Sequence, residues 1–201
     1  MKTTEGKLVQ IDEKKLDLLV YRDKYGKEFA YPIGIKQKNA FSAVTASEVI
    51  NGFPPYLKQG VKRVSFFDIP CPTNEYWAIE YNSPGFTAAA TDGGRTTFYQ
   101  KPESREEFSK LMAHEAGHIL DIGGRFSKSK EWIEAVSADD AKYGFRNFPT
   151  PYAGKHIRED FAESIKMFIN NKEKFKEEYP NRAAFLRKKA QELSGNQGKV
   201  P

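Results

Sequence analysis

MAHEAGHILDIGG, residues 112–124, contains two of the chain's three histidines, four positions apart, with a glutamate directly after the first. Residues four apart in an α-helix point in nearly the same direction, so His114 and His118 can bind one metal ion together. Neutral imidazole suits zinc, and two such ligands leave positions for a third ligand and a water. Glu115 is rotated by about 100° from His114 and would reach that water without taking a metal position. The spacing predicts the central helix of a zinc enzyme.

The residues around this motif are small or apolar, which is typical of an enclosed helix. An ordinary core helix would have the same flanks, but two histidines and a glutamate would then need other buried partners. Asp121, in the last turn, opposes the helix dipole. Two interpretations stay open for Asp121: a solvated carboxylate near the glycine pair at 123–124, or a group that orients a ligand or neighbouring backbone.

The third ligand is not given by the motif. A metzincin would have a histidine six residues beyond His118, and Gly124 stands there instead. Asp140, in SADDAKYG, begins a D-x-x-Y-G pattern that resembles the ligand segment of aspartate-ligand zinc peptidases. The Gly-Thr turn expected before that segment is missing here. Glu159 is the second candidate, with Glu163 one turn later, on the helix face where amphipathic helices carry solvated carboxylates. Helix periodicity alone does not choose between Asp140 and Glu159.

Length and composition are those of a globular chain. It has 201 residues, of which 39% are hydrophobic and 13% aromatic, enough for one domain with a sizeable core. We find no apolar run long enough to span a membrane and no apolar segment of a signal peptide near the start. The protein is therefore expected to be cytoplasmic or exported by another route, and its localisation stays open.

The net charge of +5 does not indicate a nucleic-acid-binding surface. Basic residues near both ends of the chain alternate with acidic ones, which is typical of solvated helix and strand faces. A nucleic-acid-binding protein would show a denser basic stripe. The single cysteine, Cys71, excludes an internal disulfide.

The order of secondary-structure signals predicts an α+β fold. Short β-leaning segments fill the first hundred residues, with a turn at DKYGK and a clear hairpin, FTAAATDGGRTTFYQ, at residues 86–100. Helices follow: one from Ser104 to the Gly123-Gly124 pair, then about 129–142, about 156–170, and one after Pro180-Asn181. Sheet first and helices second is the α+β arrangement.

Two segments together resemble a known catalytic core: HEAGHILD, residues 114–121, and PYAGKHIREDFAESIKMFINN, residues 151–171. The core they resemble is that of the anthrax lethal-factor-type metallopeptidases, which include the clostridial Pro-Pro endopeptidases. In that family a tyrosine precedes the glutamate ligand by seven residues, and the ligand opens an E-x-F-A-E-type helix. Tyr152, Glu159 and the DFAE segment ending at Glu163 match these positions, and Asp121 matches as well. The resemblance covers roughly residues 45–192.

The resemblance implies a gluzincin-like zinc site in which His114, His118 and Glu159 bind the metal. It also implies that Glu115 activates the zinc-bound water and that Tyr152 stabilises the oxyanion of the tetrahedral intermediate. Supporting roles would fall to Glu163, which would hold a zinc histidine, and to Asp121. Asp140 becomes the alternative third ligand.

The expected function is zinc-dependent endopeptidase activity on a protein or peptide bound extended along a sheet edge, for which FTAAAT or its hairpin partner is the candidate strand. The expected fold is a small mixed N-terminal sheet packed on the HExxH helix and followed by a helical C-terminal half. The alternative is a catalytically idle metallopeptidase fold that serves as a binding or structural module. We expect a β-rich appendage over residues 1–44, the peptidase domain over 45–194 and a disordered tail over 195–201.

Overall fold

The computed structural model describes residues 18–33, 41–68, 88–91 and 93–195. Its contacts group into two compact units. The first consists of Met1–Val49 and Val61–Phe108, and the second of Ile50–Gly60 and Ser109–Pro201. The first holds the strands and the second most of the helices, so the predicted α+β class is confirmed.

In the described part of the chain, five short strands form one mixed sheet: β1 (Leu18–Arg22), β2 (Glu28–Pro32), β3 (Arg63–Phe66), β4 (Ala88–Thr91) and β5 (Arg95–Phe98). Their order across the sheet is β1-β2-β3-β5-β4. The central pairs β2–β3 and β3–β5 are parallel, while the two outer pairs are antiparallel hairpins. The packing of this sheet on the HExxH helix stays a prediction.

The first hairpin closes at the predicted DKYGK turn. The Asp23 carboxylate accepts hydrogen bonds from the backbone N–H groups of Tyr25 and Lys27, and Gly26 supplies the positive φ of 82° that the turn requires. Because β2 pairs with β3, this hairpin is an integral part of the sheet, which runs across the boundary expected at residue 44. The domain assignment itself stays a prediction.

The second hairpin, β4–β5, is also confirmed, with Thr91 paired with Arg95. Gly93 and Gly94 both have a φ of 82°, as the Asp-Gly-Gly sequence predicts. Among the described strands β4 is terminal in the sheet, whereas its hairpin partner β5 lies between β3 and β4. The segment EYWAIEYN, residues 75–82, is also β-leaning in sequence and lies outside the described residues. The tail expected over 195–201 lies outside them as well, except for Gly195, the last residue of a helix.

Aromatic side chains form the core of the first unit. Phe66 stacks with Tyr31 and with Phe98 at centroid distances of 5.3 and 5.4 Å, so neighbouring strands are joined by rings as well as by backbone bonds. Phe41 and Phe108 complete the group, and all five rings are buried. Burying rings of this size supplies much of the hydrophobic stabilisation of a small unit.

Seven α-helices occur in the described residues: α1 (Ala43–Gly52), α2 (Pro55–Lys58), α3 (Arg105–Leu120), α4 (Lys130–Tyr143), α5 (Ile157–Asn170), α6 (Lys172–Glu178) and α7 (Pro180–Gly195). Short 3₁₀ turns at Ile122–Gly124 and Tyr152–Lys155 precede α4 and α5. None of these helices is long and apolar enough to cross a membrane.

The predicted helices agree with these bounds to within a few residues. α3 stops at Leu120, before the predicted Gly123-Gly124 end, and the chain continues in the first 3₁₀ turn. Ser129 caps α4 by accepting a hydrogen bond from the Trp132 N–H. In the second unit, the Trp132 ring packs edge-on against Phe161 of α5 and Phe185 of α7, which joins three helices in one core.

A buried charge network lies among α4, α5 and α7. The Arg182 side chain is fully buried and forms ion pairs with Asp139 at 3.4 Å and Asp160 at 3.3 Å. The Asp139 carboxylate also accepts hydrogen bonds from the backbone N–H groups of Asn181 and Arg182, so it caps the start of α7. Burial raises the pKa of Asp160 to about 6, although Arg182 acts in the opposite direction.

Candidate metal centre

His114 and His118 lie on one face of α3, as their spacing predicts. Their Nε2 atoms are 3.1 Å apart, and the two rings are nearly perpendicular, with an interplanar angle of 85°. Both side chains are largely buried, with 12% and 16% of their surface exposed. Two imidazole nitrogens directed at the same point form half of a four-ligand metal site.

Glu159 on α5 supplies the third donor. Its Oε2 atom lies 3.1 Å from His118 Nε2 and 3.4 Å from His114 Nε2. The donor atoms of the three residues all lie within 4.8 Å of one another, and this group could hold a metal ion. Glu159 is buried, so the helix face that periodicity assigned to solvent is enclosed in the structure.

The start of α5 places this glutamate. His156, the chain's third histidine, is the N-cap residue, and its Nδ1 accepts a hydrogen bond from the Arg158 N–H at 3.1 Å. His156 is therefore a helix cap and takes no part in the donor group. Glu159 stands in the first turn, where the helix dipole favours a carboxylate.

Gly117 allows α3 and α5 to approach closely. A Cβ atom built on Gly117 would lie 3.0 Å from the Ala162 Cα and 3.3 Å from the Ile165 Cβ, which is closer than ordinary packing. A glycine at this position, directly before His118, lets the α5 backbone come near enough for Glu159 to reach both histidines.

Glu163, one turn after Glu159, holds the far side of His114. Its Oε1 atom lies 2.7 Å from His114 Nδ1, and its Oε2 atom accepts a hydrogen bond from the Thr150 hydroxyl at 2.7 Å. Lys166 donates to the same carboxylate at 2.6 Å. A carboxylate at Nδ1 favours the tautomer that leaves Nε2 free to bind a metal, which is how supporting carboxylates act in metal sites.

The electrostatics of the group suit a cation. Burial alone would lower the pKa of His114, but the neighbouring carboxylates of Glu159 and Glu163 raise it to about 10. Burial alone would raise the pKa of Glu159, and the two histidines instead lower it well below its usual range. Carboxylates and imidazoles thus stabilise positive charge at one buried point, which can be held as a proton or as a metal ion.

Glu115 and Tyr152 both lie near His114. Glu115 follows the first histidine on α3 and is 5% exposed, and its negative charge contributes to the raised pKa of His114. The Tyr152 ring, in the 3₁₀ turn before α5, has its centroid 5.9 Å from the His114 ring. The proposed base and the proposed oxyanion donor are therefore both placed around His114.

Asp121 takes the backbone-orienting role rather than the solvated one. It is fully buried, and its Oδ1 atom accepts hydrogen bonds from the Phe126 and Ser127 N–H groups at 2.7 and 2.8 Å. Its Oδ2 atom lies 3.7 Å from Arg158 Nε. Asp121 thus closes the loop after α3 and lies near Arg158, the residue before Glu159.

Asp140, the alternative third ligand, is engaged elsewhere. Its carboxylate accepts a hydrogen bond from the Asn147 N–H at 3.0 Å and lies 3.7 Å from the buried Arg182 guanidinium. Among the described residues, the metal-ligating group is His114, His118 and Glu159, without Asp140. The geometry therefore favours Glu159.

Three residues that shape the candidate metal centre were not identified from the sequence: Gly117, Thr150 and Lys166. Lys166 stands three residues after Glu163, a spacing that ordinarily indicates a surface ion pair. Gly117 inside a helix signals a close approach, without naming the partner. Nothing in the sequence around Thr150 indicates that its hydroxyl meets a carboxylate thirteen residues later.

No protein-family model matches the chain, and no curated protein matches it. The metal centre is therefore inferred from the contacts and charges of these residues alone.

Proposed function

We propose that the chain is a zinc-dependent endopeptidase of lethal-factor type. The single observation that carries the proposal is the convergence of His114 Nε2, His118 Nε2 and Glu159 Oε2 within 4.8 Å, with a buried glutamate next to the first histidine. Two imidazoles and one carboxylate, with a fourth position left for water or substrate, is the ligand set of catalytic zinc sites.

Zinc is favoured over other ions by the chemistry of the donors. Calcium and magnesium prefer sites made of oxygen atoms, whereas two of the three donors here are nitrogens. A structural zinc site would have four protein ligands, usually with cysteine, and the described group offers three. The donor set thus supports a catalytic zinc ion.

Zinc and three side chains share the proposed reaction. Bound zinc would supply Lewis acidity to the attacking water and the scissile carbonyl. Glu115 would accept the proton of the attacking water and later donate it to the leaving amine. The Tyr152 hydroxyl would donate a hydrogen bond to the oxyanion that develops on the carbonyl oxygen. Glu163 would keep His114 in the ligating tautomer throughout.

The substrate is proposed to be a protein or peptide in extended conformation. Among the described strands β4 is terminal in the sheet, and its sequence, Ala-Ala-Ala-Thr, consists of small residues. Backbone hydrogen bonds along such an edge bind many sequences with little discrimination, and side-chain pockets then set the preference.

The test compares wild-type protein with Glu115→Gln, both loaded with zinc and incubated with a mixture of peptides of diverse sequence. Zinc content is measured for each, and new N-termini are identified by mass spectrometry. We expect equal zinc content and a fall of at least about a hundredfold in cleavage for Glu115→Gln, because the general base is lost.

The same experiment distinguishes the endopeptidase from the alternative, a catalytically idle binding or structural module. Zinc bound by both proteins with no cleavage by either would support the idle module. Cleavage at the same rate by both proteins would show that Glu115 is not the base and would contradict the proposed mechanism.

A further inference from the structure

Thr150 connects the segment that carries Tyr152 to the metal centre. Its hydroxyl donates a 2.7 Å hydrogen bond to Glu163 Oε2, and it also accepts one from the Ala153 N–H at 3.3 Å. The Thr150 carbonyl accepts a second bond from the same N–H at 3.1 Å. Thr150 therefore starts the 3₁₀ turn in which Tyr152 lies and fastens that turn to α5.

The two carboxylate oxygens of Glu163 contact different partners. Oε1 faces His114 Nδ1, whereas Oε2 receives the Thr150 hydroxyl, and Lys166 contacts both. The contacts with His114 and Thr150 thus use different oxygens of a carboxylate that Lys166 also holds. The contact with His114 does not require the threonine.

The segment before Thr150 is fixed at its other end. The Tyr179 hydroxyl donates to the Phe148 carbonyl at 2.8 Å, and Arg182 donates to the Asn147 carbonyl at 3.1 Å. Asn147 and Phe148 are thus fixed by hydrogen bonds to their carbonyls. Thr150, which is bonded to Glu163, lies between them and Tyr152 in the sequence. The turn itself packs closely, since Ala153 is 1% exposed.

We propose that Thr150 is a positioning residue, which holds the Tyr152 side chain beside His114 by tethering its turn to Glu163. The proposal rests on the proposed function insofar as Tyr152 acts in peptide hydrolysis. A charge-assisted hydrogen bond of this kind is stronger than a neutral one and leaves its donor little freedom. Losing it frees the turn while the ligands stay in place.

The test uses Thr150→Val, which keeps the shape of the side chain but removes the hydroxyl, and Thr150→Ser, which restores the donor. Three quantities are measured on the full chain: the zinc dissociation constant by competition with a chromogenic chelator, the hydrogen-exchange rate of the Ala153 amide, and kcat with KM on a cleaved peptide. Far-UV circular dichroism and melting confirm that each variant is folded.

For Thr150→Val we expect faster Ala153 exchange, a zinc dissociation constant within about twofold of wild type and a kcat lower by about tenfold. Thr150→Ser should restore both exchange and kcat. The double variant with Tyr152→Phe is compared with Tyr152→Phe alone. If Thr150 acts through Tyr152, Thr150→Val should add little further loss of kcat to Tyr152→Phe.

Two results would overturn the proposal. Unchanged Ala153 exchange in Thr150→Val would show that the turn is held without the hydroxyl. A zinc affinity that falls as much as kcat, or full additivity with Tyr152→Phe, would show that Thr150 acts on the ligands instead. If wild-type protein cleaves no peptide, the proposed function fails, and the exchange rate still decides whether the Thr150 hydroxyl holds the turn.

Discussion

Gly117 of α3 lies directly against Ala162 of α5, so close that a Cβ on the glycine would come within 3.0 Å of the Ala162 Cα. The contact lies one residue before His118 and three residues after Glu159 in their respective helices. The separation of the two helices at this point sets the distance between the histidine pair and the glutamate. The geometry of the candidate metal centre therefore depends on this glycine.

We predict that Gly117→Ala lowers zinc affinity by about tenfold and costs about 1–3 kcal/mol of folding free energy, because the added methyl group pushes α5 away. The zinc dissociation constant and denaturant unfolding measure the two effects. Gly52→Ala is the matched control, since Gly52 is also helical and has no atom within 4 Å of its added Cβ. Equal zinc affinity in all three proteins would contradict the role given to the close approach.

The histidine pair could be predicted from the sequence because both residues belong to one helix, whose periodicity fixes their relative direction. The glutamate between them, Glu115, and the α+β class follow from similarly local patterns. Glu159 could not be placed in this way, because its position depends on how α5 packs on α3. Periodicity put it on a solvated face, and only the family resemblance indicated the site.

The helix face carrying Glu159 was difficult to predict for a physical reason. An amphipathic stripe identifies the apolar side of a helix, but α5 is enclosed on its polar side as well, with Glu159, Asp160 and Glu163 all buried. Buried carboxylates need partners from other segments. Those partners, including Thr150 and Arg182, come from loops and helices that are distant in sequence.

We predict that Glu163→Gln lowers zinc affinity by about 10- to 100-fold, the usual effect of removing a carboxylate that holds a metal-ligating histidine. The amide still fills the space but no longer fixes the tautomer of His114 with a full negative charge. Competition with a chelator measures the change.

Glu173→Gln is a close control for that variant. Glu173 also pairs with a lysine three residues later, Lys176 at 2.8 Å, but is 83% exposed and has no histidine partner. Its substitution should leave zinc affinity unchanged. A similar loss in both variants would mean that overall charge, and not the contact with His114, determines the affinity.

Asp121→Ala is expected to act mainly on stability. It would leave the buried N–H groups of Phe126 and Ser127 without their acceptor, at a cost of about 1–3 kcal/mol for each group that water cannot reach. Asp121→Asn, which keeps an oxygen at the same place, should lose less. Thermal melting with excess zinc and with a chelator tests this. A large loss of zinc affinity in Asp121→Asn, with normal stability, would instead make Asp121 a ligand-orienting residue.

Arg182→Met should destabilise the protein by about 3–5 kcal/mol, because it leaves the buried carboxylates of Asp139 and Asp160 without their cation. Urea unfolding measures the change. Arg105→Met is the comparison, since Arg105 pairs with Glu48 on the surface and such pairs contribute about 0–1 kcal/mol. Comparable losses for the two arginines would refute the assignment of Arg182 to the structural core of the helices.

Zinc binding by wild-type protein, Glu159→Gln and Asp140→Asn tests the metal centre most directly. Each protein is stripped with a chelator, dialysed, titrated with zinc and assayed for metal content and dissociation constant. We predict one tightly bound zinc ion per chain in wild type and Asp140→Asn, and an affinity lower by at least about a hundredfold in Glu159→Gln, which loses a ligand. Wild-type protein that binds no zinc, or binding that survives Glu159→Gln and is lost in Asp140→Asn, would contradict the site formed by His114, His118 and Glu159.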